Sequence, residues 1–247
     1  MTTNELIAMV RRRLVDVVAP AQFQPGDIIA ALNDAQNEFA KRTLCLFDGE
    51  TKANVVGGSP WVTLPTGTIW LLSGRLADGT YIKTVTEHEL EYGYFELNGV
   101  EAQGRFSNWR SQTGTPKFLC TNSQNGSAGV RLVPYPETST SIVLDRYRMP
   151  VVMTESQGPE IADVYQPDLV FGATAYLYGL PDVEIFNAAQ VQIDKAEWAS
   201  RVENAQGLLQ SALRMQHRTM PLPPGVVYGS PNVLPIGPAQ ISNTEAS

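Results

Sequence analysis

The sequence has few of the residues that enzymes and metal sites most often use. Only two histidines, His88 and His217, and two cysteines, Cys45 and Cys120, occur in 247 residues. The cysteines lie far apart and form neither a CxxC pair nor a Cys/His ligand spacing, which predicts no disulfide framework and no zinc site. The chain also has no GxSxG nucleophile elbow and no GxxxxGK[ST] phosphate loop. We therefore expect no enzyme, no cofactor and no metal.

Positive charge and long apolar runs are also scarce. The formal net charge is -7 and the isoelectric point is about 4.9, so the chain lacks the basic surface that sequence-specific DNA binding requires. No stretch approaches the roughly 20 apolar residues of a membrane span. The N-terminal segment places Arg11–Arg13 after its short apolar stretch, which is the wrong order for a signal peptide. These features predict synthesis in the cytosol, without export and without a membrane partner.

Helical spacing appears at both ends of the sequence. Apolar residues recur with helical period over Thr3–Val18 and again from Asp27, a candidate N-cap, to Thr43. The period returns from Tyr165 to Gly179, and Asp182–Arg214 is predicted to be one long helix. We expect a face of this last helix to pack closely against a neighbouring helix. The face carries Ile185, Ala189, Ile193, Ala196 and either Ala199 or Ser200.

A β-rich block is predicted from Asp48 to Pro150, where the apolar period changes to two. Asp78-Gly79 joins two of its strands at the spacing of a tight hairpin, which favours a type I′ turn with both residues at positive φ. Asn125-Gly126 marks a further turn, and Gly99–Thr115 is predicted to be a long loop. The candidate strands are Trp61–Leu64, Ile69–Leu76, Thr80–Thr86, Lys117–Thr121, Gly129–Pro134 and Ser141–Tyr147.

The predicted fold class is α+β. Residues 1–47 and 160–215 form a four-helix-type bundle, residues 48–150 form an inserted β-rich domain, and residues 216–247 form an extended proline-rich arm. The arm contains six prolines, which exclude a helix, and it is more apolar than a solvated linker. Its apolar side chains therefore need an outside surface. The predicted docking residues are Leu222, Val226, Val227, Tyr228, Leu234 and Ile236.

Two local motifs are candidate functional sites. His88 lies among Glu87, Glu89 and Glu91, but without an i, i+4 histidine pair this cluster is better interpreted as a solvated helical turn. Trp109 lies in a polar loop with Phe106 and Arg110, and exposed aromatic and arginine side chains often mark protein interfaces. The sequence therefore predicts a subunit or tail interface at Phe106, Trp109 and Arg110.

Several patterns, taken in order, resemble the bacteriophage head-to-tail adaptor (connector) protein family. The resemblance covers roughly residues 5 to 213, and the order and spacing of the patterns carry it. The patterns are Trp61-Val62-Thr63-Leu64-Pro65, Gly74-Arg75, Trp109 followed by Gly114, Pro116 and Phe118, Leu132-Val133-Pro134-Tyr135-Pro136, Tyr147-Arg148-Met149-Pro150, and Ile161 to Tyr165 before Leu169-Val170-Phe171-Gly172-Ala173.

The resemblance implies a mainly helical structural subunit of the virion. Such a subunit assembles as a homo-oligomeric ring, a dodecamer, beneath the portal protein at the head-tail junction, and presents its far face to a tail (nozzle or tail-completion) protein. DNA passes through the ring without sequence-specific binding, and assembly takes place in the host cytoplasm. The β-rich block and the proline-rich arm depart from the shorter family members.

Two alternatives remain open at the level of sequence. One is a tail or baseplate protein whose β-domain binds a receptor or a glycan, which would favour a clustered aromatic pocket on the β-rich block and a trimer. The other is a hydrolase that uses a carboxylate pair, which would place two carboxyl groups about 5–9 Å apart in a cleft.

Overall fold

The fold was obtained as a computed structural model. It describes residues 1–16, 22–92, 95–97, 100–102, 109–121, 129–180 and 188–219. The helices in these residues are α1 (Thr3–Leu14), α2 (Pro25–Thr43), α3 (Glu87–Tyr92), α4 (Leu169–Tyr178) and α5 (Ala188–Thr219), with a 3-10 helix (Gln166–Asp168) before α4. The strands are β1 (Phe47–Val55), β2 (Trp61–Thr63), β3 (Thr68–Leu76), β4 (Tyr81–Thr86), β5 (Phe95–Leu97), β6 (Val100–Ala102), β7 (Phe118–Thr121), β8 (Gly129–Val133) and β9 (Thr140–Arg148).

Local capping sets the ends of the first two helices. At the start of α1, the Thr2 hydroxyl accepts a hydrogen bond from the Glu5 amide at 3.3 Å, and the Glu5 carboxylate accepts one from the Thr2 amide at 2.7 Å. The helix ends at Leu14 and is followed by Val15, whose φ of 59° is left-handed, so the predicted extension to Val18 is wrong. Asp27 accepts from the Gln24 amide at 3.1 Å; it lies inside α2, with Gln24 rather than Asp27 at the N-cap.

The helices α1, α2, α4 and α5 share one apolar core. The core also takes in Met153 and Ile161 from the segment between β9 and α4, so it is not built from helices alone. Gly172 of α4 lies where this packing is closest: a Cβ at this position would be 2.8 Å from the Ala35 Cβ and 3.0 Å from the Trp198 ring. A side chain at this point therefore cannot be accommodated without moving α2 or α5.

Substitution Gly172→Ala is expected to destabilise the protein by about 1–2 kcal/mol. Overpacking a core costs roughly 1–3 kcal/mol, which exceeds the gain of up to about 1 kcal/mol from replacing a helical glycine by alanine. The matched control is Gly207→Ala in α5, where the added Cβ meets no atom within 4 Å and stability should rise. Urea unfolding of both variants checks this, and equal stability of the two would contradict it.

Seven strands form one nearly closed, barrel-like sheet in the order β1-β9-β3-β4-β7-β8-β2. Neighbours are antiparallel except for β4 and β7, which are parallel, and the end strands β1 and β2 contact each other. The interior is apolar. It holds the fully buried Val62, Ile82, Leu119, Leu132, Ile142 and Leu144.

The predicted strands are present with bounds that shift by a residue at one or both ends, whereas β1, β5 and β6 were not predicted and one predicted turn differs. Only Gly79 of the Asp78-Gly79 pair has positive φ, at 88°. Its amide donates to the Leu76 carbonyl at 2.9 Å, and the Leu76 amide donates to the Thr80 carbonyl at 2.9 Å. The predicted hairpin is therefore confirmed, with a three-residue loop. The predicted type I′ turn is wrong. Strand β6 replaces the start of the predicted loop Gly99–Thr115, and Asn125-Gly126 lies outside the described residues.

Residues 149–161 connect the sheet to the helices and are bonded to both. The Asn33 side chain donates to the Met153 carbonyl at 3.1 Å and accepts from the Met153 amide at 2.7 Å. The Gln36 side chain likewise donates to the Val151 carbonyl at 3.1 Å and accepts from the Glu160 amide at 3.0 Å. Glu160 is in turn paired with Arg148 at the end of β9, and this pairing lowers the pKa of the Glu160 carboxyl group. The connection is therefore fixed at both ends.

The predicted architecture, a four-helix-type bundle with an inserted β-rich lobe, is wrong. The fold is mixed α/β, and its described part combines the barrel-like sheet with five helices. Met1–Gln210 form one compact unit and Ser211–Ser247 a second. The helical period of the sequence identified helices but not the bonded connection through Asn33 and Gln36. The predicted domain boundaries remain predictions.

The C-terminal region is described as far as Thr219, where α5 ends. The predicted arm began at residue 216, so its first four residues are helical instead of extended. Residues 220–247, with the six predicted docking residues, lie outside the described residues, as do residues 182–187 of the predicted long helix. No helix in the described ranges has both the length and the apolar character needed to cross a membrane.

Candidate interaction surface

Trp109 lies in a small core of its own. Its side chain is only 3% exposed and packs with Val85, Leu90, Phe118, Cys120 and Val133. The Arg110 guanidinium lies 4.3 Å from the Trp109 ring centroid and pairs with Glu91 at 3.0 Å. Arg110 keeps 55% of its side chain exposed. The expected exposure of Trp109 is therefore wrong; Phe106 lies outside the described residues, and an interface at Arg110 remains a prediction.

The buried thiol of Cys120 is not activated as a nucleophile. Burial, with a smaller contribution from the negative charge of Glu87, raises the pKa of the Cys120 thiol to about 12. A thiol with such a pKa is protonated at neutral pH and is inert. His88 lies exposed on α3, and the residues described contain no group of three or more His, Cys, Asp or Glu side chains placed to hold a metal ion.

Three aromatic residues form a row across the outer face of the sheet. Tyr147 of β9 is the direct cross-strand partner of both Phe47 in β1 and Trp70 in β3, and directly paired residues point to the same face. Phe47 and Tyr147 make an edge-to-face contact with ring centroids 5.9 Å apart. Tyr147 is 8% exposed, whereas Phe47 is 57% and Trp70 60% exposed. We call these three residues the aromatic row.

An open cavity of about 590 Å³ lies beside Phe47. The charged side chains at its edge are mostly paired: Arg75 bonds to Asp145 at 2.9 Å, and Arg148 pairs with Glu160. Glu50 is exposed and has no ion-pair partner within the described ranges. The cavity is lined by Phe47, Asp48, Gly49, Glu50, Arg75 and Arg148.

On the inner face of the sheet, a buried arginine lies next to the aromatic row and bonds to the strands that carry it. Arg146, adjacent to Tyr147, is 5% exposed and bonds to the Asp48 carboxylate at 3.0 Å and the Thr68 hydroxyl at 2.7 Å. It also donates to the carbonyls of Pro65 and Thr66 at 3.2 and 3.3 Å. Arg146 therefore ties β1, β9 and the turn before β3 together at the level of the row.

The Asp48 carboxyl group is expected to make stability depend on pH in acid. A hydrogen bond from the Thr51 hydroxyl, followed by the Glu50 amide and Arg146, lowers its pKa from 3.8 to about 2. Because the folded-state pKa lies below the unfolded value, the stabilisation is fully present only above about pH 5 and is lost progressively as the pH falls through the folded-state pKa of about 2. The shift corresponds to roughly 2 kcal/mol.

The variant Asp48→Asn should be less stable than the wild type at neutral pH but should lose less stability between pH 4 and pH 2. Urea unfolding at pH 5, 4, 3 and 2 measures this. Glu155→Gln, which removes an exposed carboxylate outside the sheet, is the control and should keep nearly the wild-type slope. An unchanged slope in Asp48→Asn would contradict the assignment.

The buried and exposed faces of α5 are rotated relative to the prediction. The buried face carries Val191, Asp194, Trp198, Val202 and Ala205. The predicted packing face is instead in contact with solvent: Ala189, Ala196 and Ser200 are exposed and Ile193 is 56% exposed. The expected packing against a neighbouring helix is therefore not made within the described residues, because Trp198 and Val202 set the buried side of α5.

Two arginines enclose Phe171 between α1, α4 and α5. The guanidinium of Arg13 lies 4.0 Å from the Phe171 ring centroid and that of Arg201 lies 3.8 Å from it. Arg13 pairs with the fully buried Asp194 at 2.7 Å, and Glu197 joins Arg13 and Arg201 at 3.1 and 2.9 Å. These ion pairs and ring contacts join α1, α4 and α5. The opposite face of α5 stays exposed in the described residues.

The comparisons with known proteins identify the family. A family model described as SU10 adaptor protein matches residues 1–225, which is 225 of 247 residues. The chain belongs to the SU10 adaptor protein family. The resemblance to bacteriophage head-to-tail adaptors is thereby confirmed, and membership favours a structural role in the virion. No curated protein matches this adaptor chain.

Sequence reasoning missed the aromatic row of the adaptor sheet. It placed Trp70 and Tyr147 in strands but did not predict β1, which contains Phe47. Irregular register occurs between Asp48 and Thr51 and between Leu71 and Ser73. A bulge changes which side chains share a face, so the row could not be read from two-residue alternation.

Proposed function

We propose that this chain is one subunit of a homo-oligomeric ring, a dodecamer, that joins the capsid portal to the tail at the head-tail junction. The observation that carries the proposal is the family match over residues 1–225. The ring extends the DNA channel, and the net charge of -7 suits a wall that does not retain the phosphate backbone. DNA therefore passes without sequence-specific binding.

The exposed face of α5 supports assembly with further copies. A closed ring needs two different, complementary surfaces on each subunit. Exposed apolar side chains on α5, among them Ile193 at 56% and Leu208 at 65% exposure, can be covered by a neighbour, while Ala189 and Ala196 leave room for close approach. We assign one of the two ring surfaces to this face.

The C-terminal arm is the proposed contact with the portal or with a neighbouring subunit. Its prolines remove backbone donors, and its apolar side chains require an outside surface. Arg110, with Phe106, is the proposed contact with the next subunit or with a tail (nozzle or tail-completion) protein. The arm anchors are Leu222, Val226, Val227, Tyr228, Leu234 and Ile236.

The copy number in the assembled particle tests the ring. Cryo-EM of the virion, or native mass spectrometry of the isolated connector, should give a ring, whereas isolated copies would contradict the proposal and three copies would favour a receptor-binding tail protein. The substitution Ile193→Glu should abolish the ring because a charge replaces an apolar contact. Gln192→Glu, at the adjacent exposed position, is the matched control and should assemble normally.

A further inference from the structure

The aromatic row presents two exposed rings at a defined separation. Phe47 and Trp70 lie on strands separated by one intervening strand, β9, and neighbouring strands are about 4.8 Å apart. The two side chains therefore start about 9.6 Å apart, with the covered Tyr147 between them. Phe47 and Trp70 are 57% and 60% exposed, so the described residues leave this surface uncovered.

The sequence beyond α5 contains a segment whose period matches this separation. A polyproline II helix rises about 3.1 Å per residue, so prolines three positions apart lie about 9.3 Å apart on the same side. Pro221 and Pro224 have this spacing, and aromatic-lined grooves bind such PxxP segments because the extended helix is already formed. The second PxxP, Pro235 to Pro238, contains Gly237, which weakens its preference for the extended form.

We propose that the Pro221–Pro224 segment of a neighbouring copy binds across the aromatic row, with its two outer prolines against Phe47 and Trp70. This inference rests on the proposed ring and names one contact within it. The 23 residues from 225 to 247 extend up to about 71 Å in this conformation and stay available for the proposed contact with the portal.

The segment proposed to bind the row belongs to a second copy of the chain and is uncharged where it makes the contact. The segment from Met220 to Tyr228 has no charged residue, so it suits exposed rings better than it suits the ion pairs at the cavity edge. Leu72, 40% exposed on the same strand as Trp70, extends the apolar surface next to the row. An uncharged proline segment from the same particle therefore matches the row in spacing and polarity.

The experiment identifies the segment that touches the row in the full chain. A photo-reactive benzoylphenylalanine is placed at Leu72 in 15N-labelled protein, mixed with unlabelled wild-type protein under conditions that form the ring, and irradiated. Mass spectrometry of the cross-linked peptides then shows whether the partner peptide comes from another copy. We expect cross-links from the labelled chain to unlabelled residues 219–228.

Matched variants test the residues named. Trp70→Ala, and separately the double substitution Pro221→Ala with Pro224→Ala, should reduce the cross-link at least tenfold. Tyr81→Ala, which removes an equally exposed ring outside the row, and the double substitution Pro235→Ala with Pro238→Ala should leave it unchanged. Circular dichroism checks that each variant is folded.

The outcomes separate this inference from the ring itself. Cross-links confined to one copy, cross-links to another segment or another protein, or a ring without any cross-link to residues 219–228 would overturn the docking site while leaving the ring intact. The absence of any ring, by contrast, would overturn both the proposed function and this contact.

Discussion

Replacement of Arg146 by methionine is expected to lower the free energy of unfolding by about 3–5 kcal/mol. The guanidinium is 5% exposed and bonds to Asp48, Thr51 and Thr68 as well as to two backbone carbonyls. Methionine preserves much of the apolar volume but leaves the Asp48 carboxylate, itself 16% exposed, without its cation. An unpaired buried charge is costly because water cannot replace the lost partner.

The control for this prediction is Arg75→Met on the outer face of the same sheet. Arg75 is 45% exposed and bonds to Asp145 at 2.9 Å, and exposed ion pairs contribute at most about 1 kcal/mol. Urea unfolding, followed by circular dichroism, measures both variants. A loss in Arg146→Met no larger than that in Arg75→Met would show that the buried network does not hold the sheet.

Removal of residues 220–247 is expected to abolish attachment to portal-bearing heads. The cut after Thr219 keeps α5 complete and removes all six proposed anchors. Ordering the arm costs about 1–2 kcal/mol per residue, so several well-filled pockets must offset that cost, and their loss should prevent binding altogether. Sedimentation of the truncated chain with purified heads measures attachment.

A shorter deletion serves as the control for the arm. Removing residues 240–247 keeps Leu222, Tyr228 and Ile236 and should leave most of the attachment in place. Both chains should retain the circular dichroism spectrum of the wild type. Full attachment of the chain that ends at Thr219 would contradict the docking role, whereas loss of its fold would assign the arm to the core.

The elements of this fold were largely predictable from the sequence, but their arrangement was not. Two-residue alternation located Trp61–Thr63 and Gly129–Val133 within a residue at each end, because one face of each strand is buried. The same pattern contains no information on which strands pair. The parallel pairing of β4 with β7 and the contact of β1 with β2 convert the block into a barrel-like sheet.

The surfaces of the subunit were predicted less well than its elements. The polar neighbours of Trp109 in sequence predict exposure, yet long-range packing against Phe118 and Val133 buries it. The small residues of α5 predict a packing face, yet the large Trp198 sets the buried side. In both cases the burial of the side chain depends on tertiary contacts, and polarity over a few residues does not determine what lies opposite them.

The connection between sheet and helices has a mechanical consequence. Asn33 and Gln36 each donate and accept one hydrogen bond with residues 151–160, so four bonds must yield together when one layer is pulled away from the other. A force that separates the sheet from the helices is therefore shared by all four bonds and passed to α2. Residues 149–161 thus act as a mechanical connection between the two layers.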